Sequence, residues 1–369
     1  MMNEPCTDNQ SDNPLLRVWI RIEALPTWIF IAWILTLLIL RTGPGWAGTA
    51  ELEHFARDFP HPGPTFRSNS VLGSIIGWAT GIHTRMPWVL LHAGLTLGWF
   101  ALVGWLLQRR LSTERAWRVS MVWLSFFAGP ASMLRRLGSY DVFSATGAAL
   151  IALSATPLLA LAGGVIIGAT NAEQGVLAVF CGALACWAIP TEDGSHTAFR
   201  EVLSRFGAAL AGLVASRTLV LIWFHYLDAT VEGRNAVFNR LLSGSLFNAI
   251  GLGTTGLYAW LSVAWIIVIA TLWQLRNQPV RWLAAGIGLV AIPAAVTVTT
   301  LDGSRVFAVV GSVALLYALM WFAEMASKPE GTSALSASAA LMLFGLLIPS
   351  VVTVYTGGIS VPWQFVIRL

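Results

Sequence analysis

"GAALAGLVASRTLVLIWFHYL", residues 207–227, is predominantly apolar and carries one permanently charged residue, Arg217, near its middle. A helix needs about 20 predominantly apolar residues to cross a hydrocarbon core of about 30 Å. This stretch has that length, so it reads as a membrane-spanning helix. A guanidinium at the centre of such a helix costs roughly 2.5–3.5 kcal/mol on insertion scales. Something must offset that cost: an interhelical carboxylate such as Glu173, a bound anion or a wet cavity. An arginine fork suits carboxylate and phosphate equally.

Similar runs recur along nearly the whole chain, at 26–43, 86–108, 116–134, 142–156, 157–171, 174–190, 253–275, 282–300, 305–325 and 335–354. With 207–227 they make about eleven crossings by the hydropathy rule. The composition agrees: of 369 residues, 56% are hydrophobic and 11% charged, and the mean hydropathy is +0.70, far from that of soluble domains. The expected fold is an all-α polytopic membrane bundle. Residues 1–25 read as a cytoplasmic N-terminal tail and 26–369 as one multi-helix membrane domain. The 142–190 stretch is the hardest to divide, because Thr156-Pro157 reads either as a turn or as a kink. Cys6 lies in the polar tail while Cys181 and Cys186 lie inside an apolar run. That spacing supports neither a disulfide framework nor a CxxC metal pattern.

Two short loops set the orientation. "QRRLSTERAWR" (108–118) and "RNQPVR" (276–281) are basic, as cytoplasmic loops are. Over the whole chain, however, Lys and Arg divide almost evenly between the two faces. The outward arginines therefore oppose the topology signal, and another role must retain them. The long connections 41–85 and 225–251 hold amphipathic stretches suited to lying in the interface plane. These are Ala47 to Phe59, followed by a partly apolar helix Val71 to Thr80, and a stretch with Val237, Leu241, Leu242 and Leu246 at helical spacing.

In this topology the unusual polar groups fall on one outward face. Loop one supplies Glu51, Glu53, Asp58 and Arg67, and "LRRLGSYD" (134–141) supplies Arg135, Arg136, Tyr140 and Asp141. Glu173, His225 and the "LDGSR" pair Asp302 and Arg305 complete the set. Such a concentration suggests a polar, water-filled cavity. Plainer roles stand beside this one. Ser139, Asp141 or Asp302 could cap helices, and Arg135 and Arg136 could snorkel at the interface. His92 could be an interhelical hydrogen-bond donor.

Arginines, carboxylates and interfacial helices together suit a lipid whose headgroup is a phosphate or diphosphate bearing sugar. Arginines hold phosphoryl oxygens and stabilise a departing phosphate, while a carboxylate takes the proton from an attacking hydroxyl. The sequence contains no P-loop, no GxGxxG after a strand and no HExxH. On the acidic first loop (Glu51, Glu53, Asp58), the "SYD" at 139–141 and the "LDGSR" at 301–305, the chain resembles the polytopic GT-C-class glycosyltransferases and the Wzy-type O-antigen or exopolysaccharide polymerases.

The resemblance implies an outward-facing site in a bacterial inner membrane and a polyprenyl-linked donor, with membrane lipid around it and no nucleic acid. Asp141, Glu51, Glu53, Asp58 or Asp302 would be the catalytic acids. Arg67, Arg135, Arg136, Tyr140, Glu173, Arg217, His225 and Arg305 would contact phosphate or sugar. The resemblance fixes no cofactor, and acids on one face could hold a divalent cation. Two other readings remain: a secondary transporter or flippase for an anionic or lipid-linked substrate, and a non-catalytic membrane subunit.

Overall fold

The computed structural model describes residues 13–45, 50–233, 253–300, 302–353 and 359–360. The amphipathic stretch expected at 237–246 lies outside them. Almost everything described is helical, apart from a short antiparallel pairing of Val352–Thr353 with Ile359–Ser360. Among the described residues six helices are long and apolar enough to cross a membrane, or seven if one sharply bent pair counts as a single span. The molecule is a helical membrane protein.

The remaining apolar segments are shorter than expected, for local reasons. The run at 116–134 is two helices, α6 (Glu114–Leu124) and α7 (Ala128–Arg135). Between them the Ser125 carbonyl accepts from Arg41 Nη1 at 3.0 Å, and the Arg41 guanidinium covers the Phe126 ring at 3.8 Å. Thr156-Pro157 is a helix start: the Thr156 hydroxyl accepts from Leu159 N and Pro157 occupies the first turn, where a missing N–H is harmless. Accordingly α8 (Asp141–Leu153) and α9 (Pro157–Gly168) are separate, and α10 (Ala172–Ala188) follows.

Glycines set how closely these helices pack. A Cβ on Gly147 would meet the Gly163 carbonyl, so α8 and α9 pack backbone to backbone as an antiparallel hairpin. On its other face α9 presents Gly164 and Gly168 to Ala209, Leu213 and Ser216 of α11 (Phe199–Tyr226). That is the small-xxx-small contact of membrane helices. Helix α9 is thus the layer between α8 and α11.

The polar tail contains an unforeseen element, α1 (Pro14–Glu23). Asn13 accepts from Leu15 N and Leu16 N, and Pro14 begins the first turn. Trp19 and Ile22 face inward, whereas Arg17 and Arg21 face outward. The helix turns by 119° into α2 (Thr27–Thr42), the other half of the bent pair. It is anchored by Asn13 on Ser336 and by a Glu23–Arg115 pair at 2.5 Å. The next elements are α3 (Ala50–Asp58), α4 (Val71–Thr80) and the long spanning α5 (Arg85–Arg110).

The later spans are α12 (Gly253–Leu275), α13 (Pro279–Val298), α14 (Gly303–Ser327) and α15 (Pro329–Leu347). Helix α13 carries one π-type turn, Ile287–Ala291, just before Pro293, a usual response to a proline within a helix. Helix α14 is buried on nearly every side and forms the hub. Helix ends collect at two faces. At one, α2 ends and α8 and α14 begin. At the other, Ser112, just after α5, donates through its N–H and hydroxyl to Glu324, close to the end of α14.

Candidate functional site

The two motifs separated by some 160 positions in the sequence meet at the first of these faces. The turn after α7 is pinned on three sides. Gly45 N donates to Leu134 O and Leu137 N to Gly45 O, each at 3.0 Å, and Trp88 Nε1 from α5 donates to Gly138 O at 2.9 Å. Gly138 has φ +95°, a conformation side chains disfavour. This turn places Arg136 and Tyr140 beside the start of α8, opposite the start of α14.

There Arg136 Nη1 pairs with Asp302 Oδ2 at 2.5 Å, and Arg305 Nε reaches the same oxygen at 2.9 Å. Arg305 Nη1 stands 3.7 Å from Asp141 Oδ1, and its guanidinium lies over the Tyr140 ring at 5.4 Å. Two carboxylates and two guanidiniums therefore form one balanced network. Its acid side chains are the deeper ones, 5% exposed at Asp141 and 6% at Asp302, against 19% at Arg136 and 17% at Arg305. Neither aspartate acts as a side-chain helix cap. Among the described residues both Asp141 oxygens and Asp302 Oδ1 lack a hydrogen-bond partner. Buried carboxylate oxygens ordinarily have one.

The other candidate residues are distributed around this cluster. Arg135 is buried and donates to Thr42 O at 2.7 Å, closing the end of α2. Arg217 donates to Glu173 Oε1 at 3.1 Å and to Asn69 Oδ1 at 3.0 Å, with α9 between this group and α8. Glu53 is buried on the inner side of α3, and Arg67 is half-buried in the turn ahead of α4. Asp58 is exposed and pairs with Arg57 at 2.8 Å, which holds its carboxyl below the usual carboxylate range. His225 is exposed at the end of α11. The side chain of Glu51 lies outside the described residues.

His92 is buried and its Nδ1 is 3.2 Å from the Trp88 carbonyl one turn back on its own helix. Its ring lies tilted against Trp88 and meets Phe143 edge-on. The expected interhelical bond is not the one observed.

Two participants carried no sequence signal as site residues. Asn69 holds Arg217 while donating to Phe66 O and Glu232 O, and Trp88 holds the Gly138 turn. Among the described residues no group of three His, Cys, Asp or Glu could hold a metal ion. A cavity of about 350 Å³ lies elsewhere, lined by Glu23, Thr113, Glu114, Arg115, Arg118 and Ser327. Its charges pair with one another. No protein-family model matches the chain, and no curated protein or solved structure is significantly similar to it.

Proposed function

We propose that the chain is a membrane-embedded transferase acting on a sugar carried by a polyprenyl phosphate or diphosphate, with Asp141 as the proton acceptor. The observation that carries this reading is Asp141 itself. It is a desolvated carboxylate with both oxygens free of hydrogen bonds among the described residues, and a guanidinium stands 3.7 Å away. A hydroxyl approaching Asp141 can donate to it and lose its proton as the new glycosidic bond forms. Arg305 and Arg136, the more exposed members, would face the phosphate on which negative charge develops as the sugar leaves. Asp302 would hold the two arginines in place. Single transfer and polymerisation share these steps.

The same reading places the cluster at the outer face of a bacterial inner membrane, with eleven crossings. It is supported by helix ends that alternate between two faces along the chain. Within that arrangement α8, α9 and α10 are short passes: α8 is largely enclosed by protein, whereas α9 and α10 each expose an apolar stripe, Leu158 to Val165 and Val176 with Phe180.

The test is deletion of the gene from its host, followed by extraction and mass spectrometry of polyprenyl-linked glycans. The deletion should change their length or sugar content. Wild type should restore the profile, and Asp141→Asn, present in the membrane at the same level, should not. An unchanged glycan pool in the deletion strain would refute the proposal.

A further inference from the structure

The Arg217 group stands apart from the Asp141 cluster, and α9 separates α8 from α11. We propose that Arg217, Glu173 and Asn69 form a second anion site that takes the phosphate of a lipid directly from the bilayer. This goes beyond the transfer reaction above and does not depend on it.

Three observations point this way. First, Arg217 belongs to the lipid-facing stripe of α11. Leu210, Val214 and Leu221, spaced around it at helical intervals, are 41%, 53% and 51% exposed, and Glu173 on α10 is 41% exposed at its side chain. Arg217 itself is 18% exposed at its side chain, so the pair opens towards the membrane chiefly through Glu173. Second, the depth fits a headgroup. A helix of 28 residues is about 42 Å long and overhangs a hydrocarbon core of about 30 Å by about 6 Å at each end if centred. Arg217 lies nine residues before Tyr226, about 14 Å from the helix end. Subtracting the overhang leaves its Cα about 8 Å inside the core boundary, so the guanidinium reaches by snorkelling to that boundary, where a lipid phosphate would have to dip to meet it. Third, the surroundings offer more polar groups than the pair uses. Ser68 and Ser70 flank Asn69, and Asn171 precedes Glu173. The Ser68 and Ser70 hydroxyls and Asn171 Oδ1 are buried with no hydrogen-bond partner among the described residues.

A roof covers the site. Phe55 and Phe59 of the α3 segment stack near Trp223, and Phe59 meets Trp78. Val71 and Phe55 pack on Val220 and Phe224. This aromatic surface lies on the helix-end side of Arg217, so a lipid chain would leave its phosphate in the opposite direction, along Val214 and Leu210.

In the structure Glu173 holds Arg217 where a phosphate would sit, so the carboxylate competes with the ligand. Neutralising it should strengthen binding, an effect that a purely structural ion pair would not produce. The full chain, in phosphatidylcholine nanodiscs, is titrated with farnesyl phosphate and followed by ³¹P NMR. Glu173→Gln should tighten binding several-fold, and Arg217→Gln should weaken it tenfold or more. Glu173→Gln binding no more tightly than wild type would overturn the proposal. That variant carries the test even where Arg217→Gln does not fold, because Glu173 is half-exposed. Inorganic phosphate should compete only weakly; if it matched farnesyl phosphate, the lipid assignment would fail. Because the readout is equilibrium binding, it separates this proposal from the glycan assay for Asp141.

Discussion

At the scale of single residues, the two aspartates of the cluster should respond differently to the same change. Asp302 accepts from two arginines, so Asp302→Asn leaves two guanidiniums without their shared anion. Breaking a buried pair in this way costs on the order of 3 kcal/mol. A lower unfolding midpoint in detergent should accompany any loss of activity. Asp141 accepts no hydrogen bond among the described residues, so Asp141→Asn should shift the midpoint much less while abolishing transfer. If Asp141→Asn proved the more destabilising of the two, Asp141 would be a structural anion and the acceptor role would be wrong. Asp141, Asp302, Arg136 and Arg305 were all visible as candidates in the sequence, because charges beside apolar runs stand out. The Asp302–Arg305 pair, three residues apart, was legible too; the meeting of the two motifs was not. "LRRLGSYD" and "LDGSR" join only when α7, α8 and α14 end at one face. Arg135 shows the converse, since its neighbour Arg136 enters the network while Arg135 closes α2, and nothing local distinguishes the two.

At the scale of elements, the α8–α9–α11 layers depend on missing side chains. A Cβ on Gly164 would strike the Ala209 carbonyl, whereas one on Gly94 in α5 would meet nothing within 4 Å. Gly164→Ala should therefore destabilise the protein by about 1–3 kcal/mol as α9 is pushed from α11. Gly94→Ala should be neutral or stabilising by up to about 1 kcal/mol, the ordinary gain in helix propensity. Thermal unfolding of both variants in one detergent checks the contrast; equal effects would mean that α9 does not pack as described. "GGVIIG" (163–168) holds this contact openly, as small residues four apart. Run length alone reads the segment as one more lipid-facing span. The break within 116–134 has a cause visible in the sequence, Gly129-Pro130 in the first turn of α7, and a tertiary one that is not, Arg41 of a distant helix taking the Ser125 carbonyl.

For the whole molecule, the alternation of helix ends makes a prediction about sidedness. Thr80, at the end of α4, and Asp193, in the turn between α10 and α11, are both exposed. The Asp193 turn is tied to the far end of α14 through Lys328 Nζ and Glu192 O at 2.9 Å. In a cysteine-free background, Thr80→Cys should react with an impermeant maleimide in intact cells. Asp193→Cys should react only after permeabilisation. The reverse pattern would put the Asp141 cluster in the cytoplasm and end the outward-facing proposal. Ser139 and Ser304 would be poor reporters, since both are buried.

By itself the sequence determined the solvent of this protein and the kind of element it uses. Long apolar runs cannot remain in water, and in lipid a backbone must satisfy its hydrogen bonds within a helix. It also determined where the costly charges lie, because each interrupts or borders an apolar run. Only the tertiary structure decided which of those charges share a site. Ion pairs and hydrogen bonds act over a few ångströms, while the partners here, apart from Asp302 with Arg305, lie tens to hundreds of positions apart. Which helices stand side by side is settled by close packing, such as Gly164 against Ala209, and that complementarity belongs to two surfaces together and to neither segment alone.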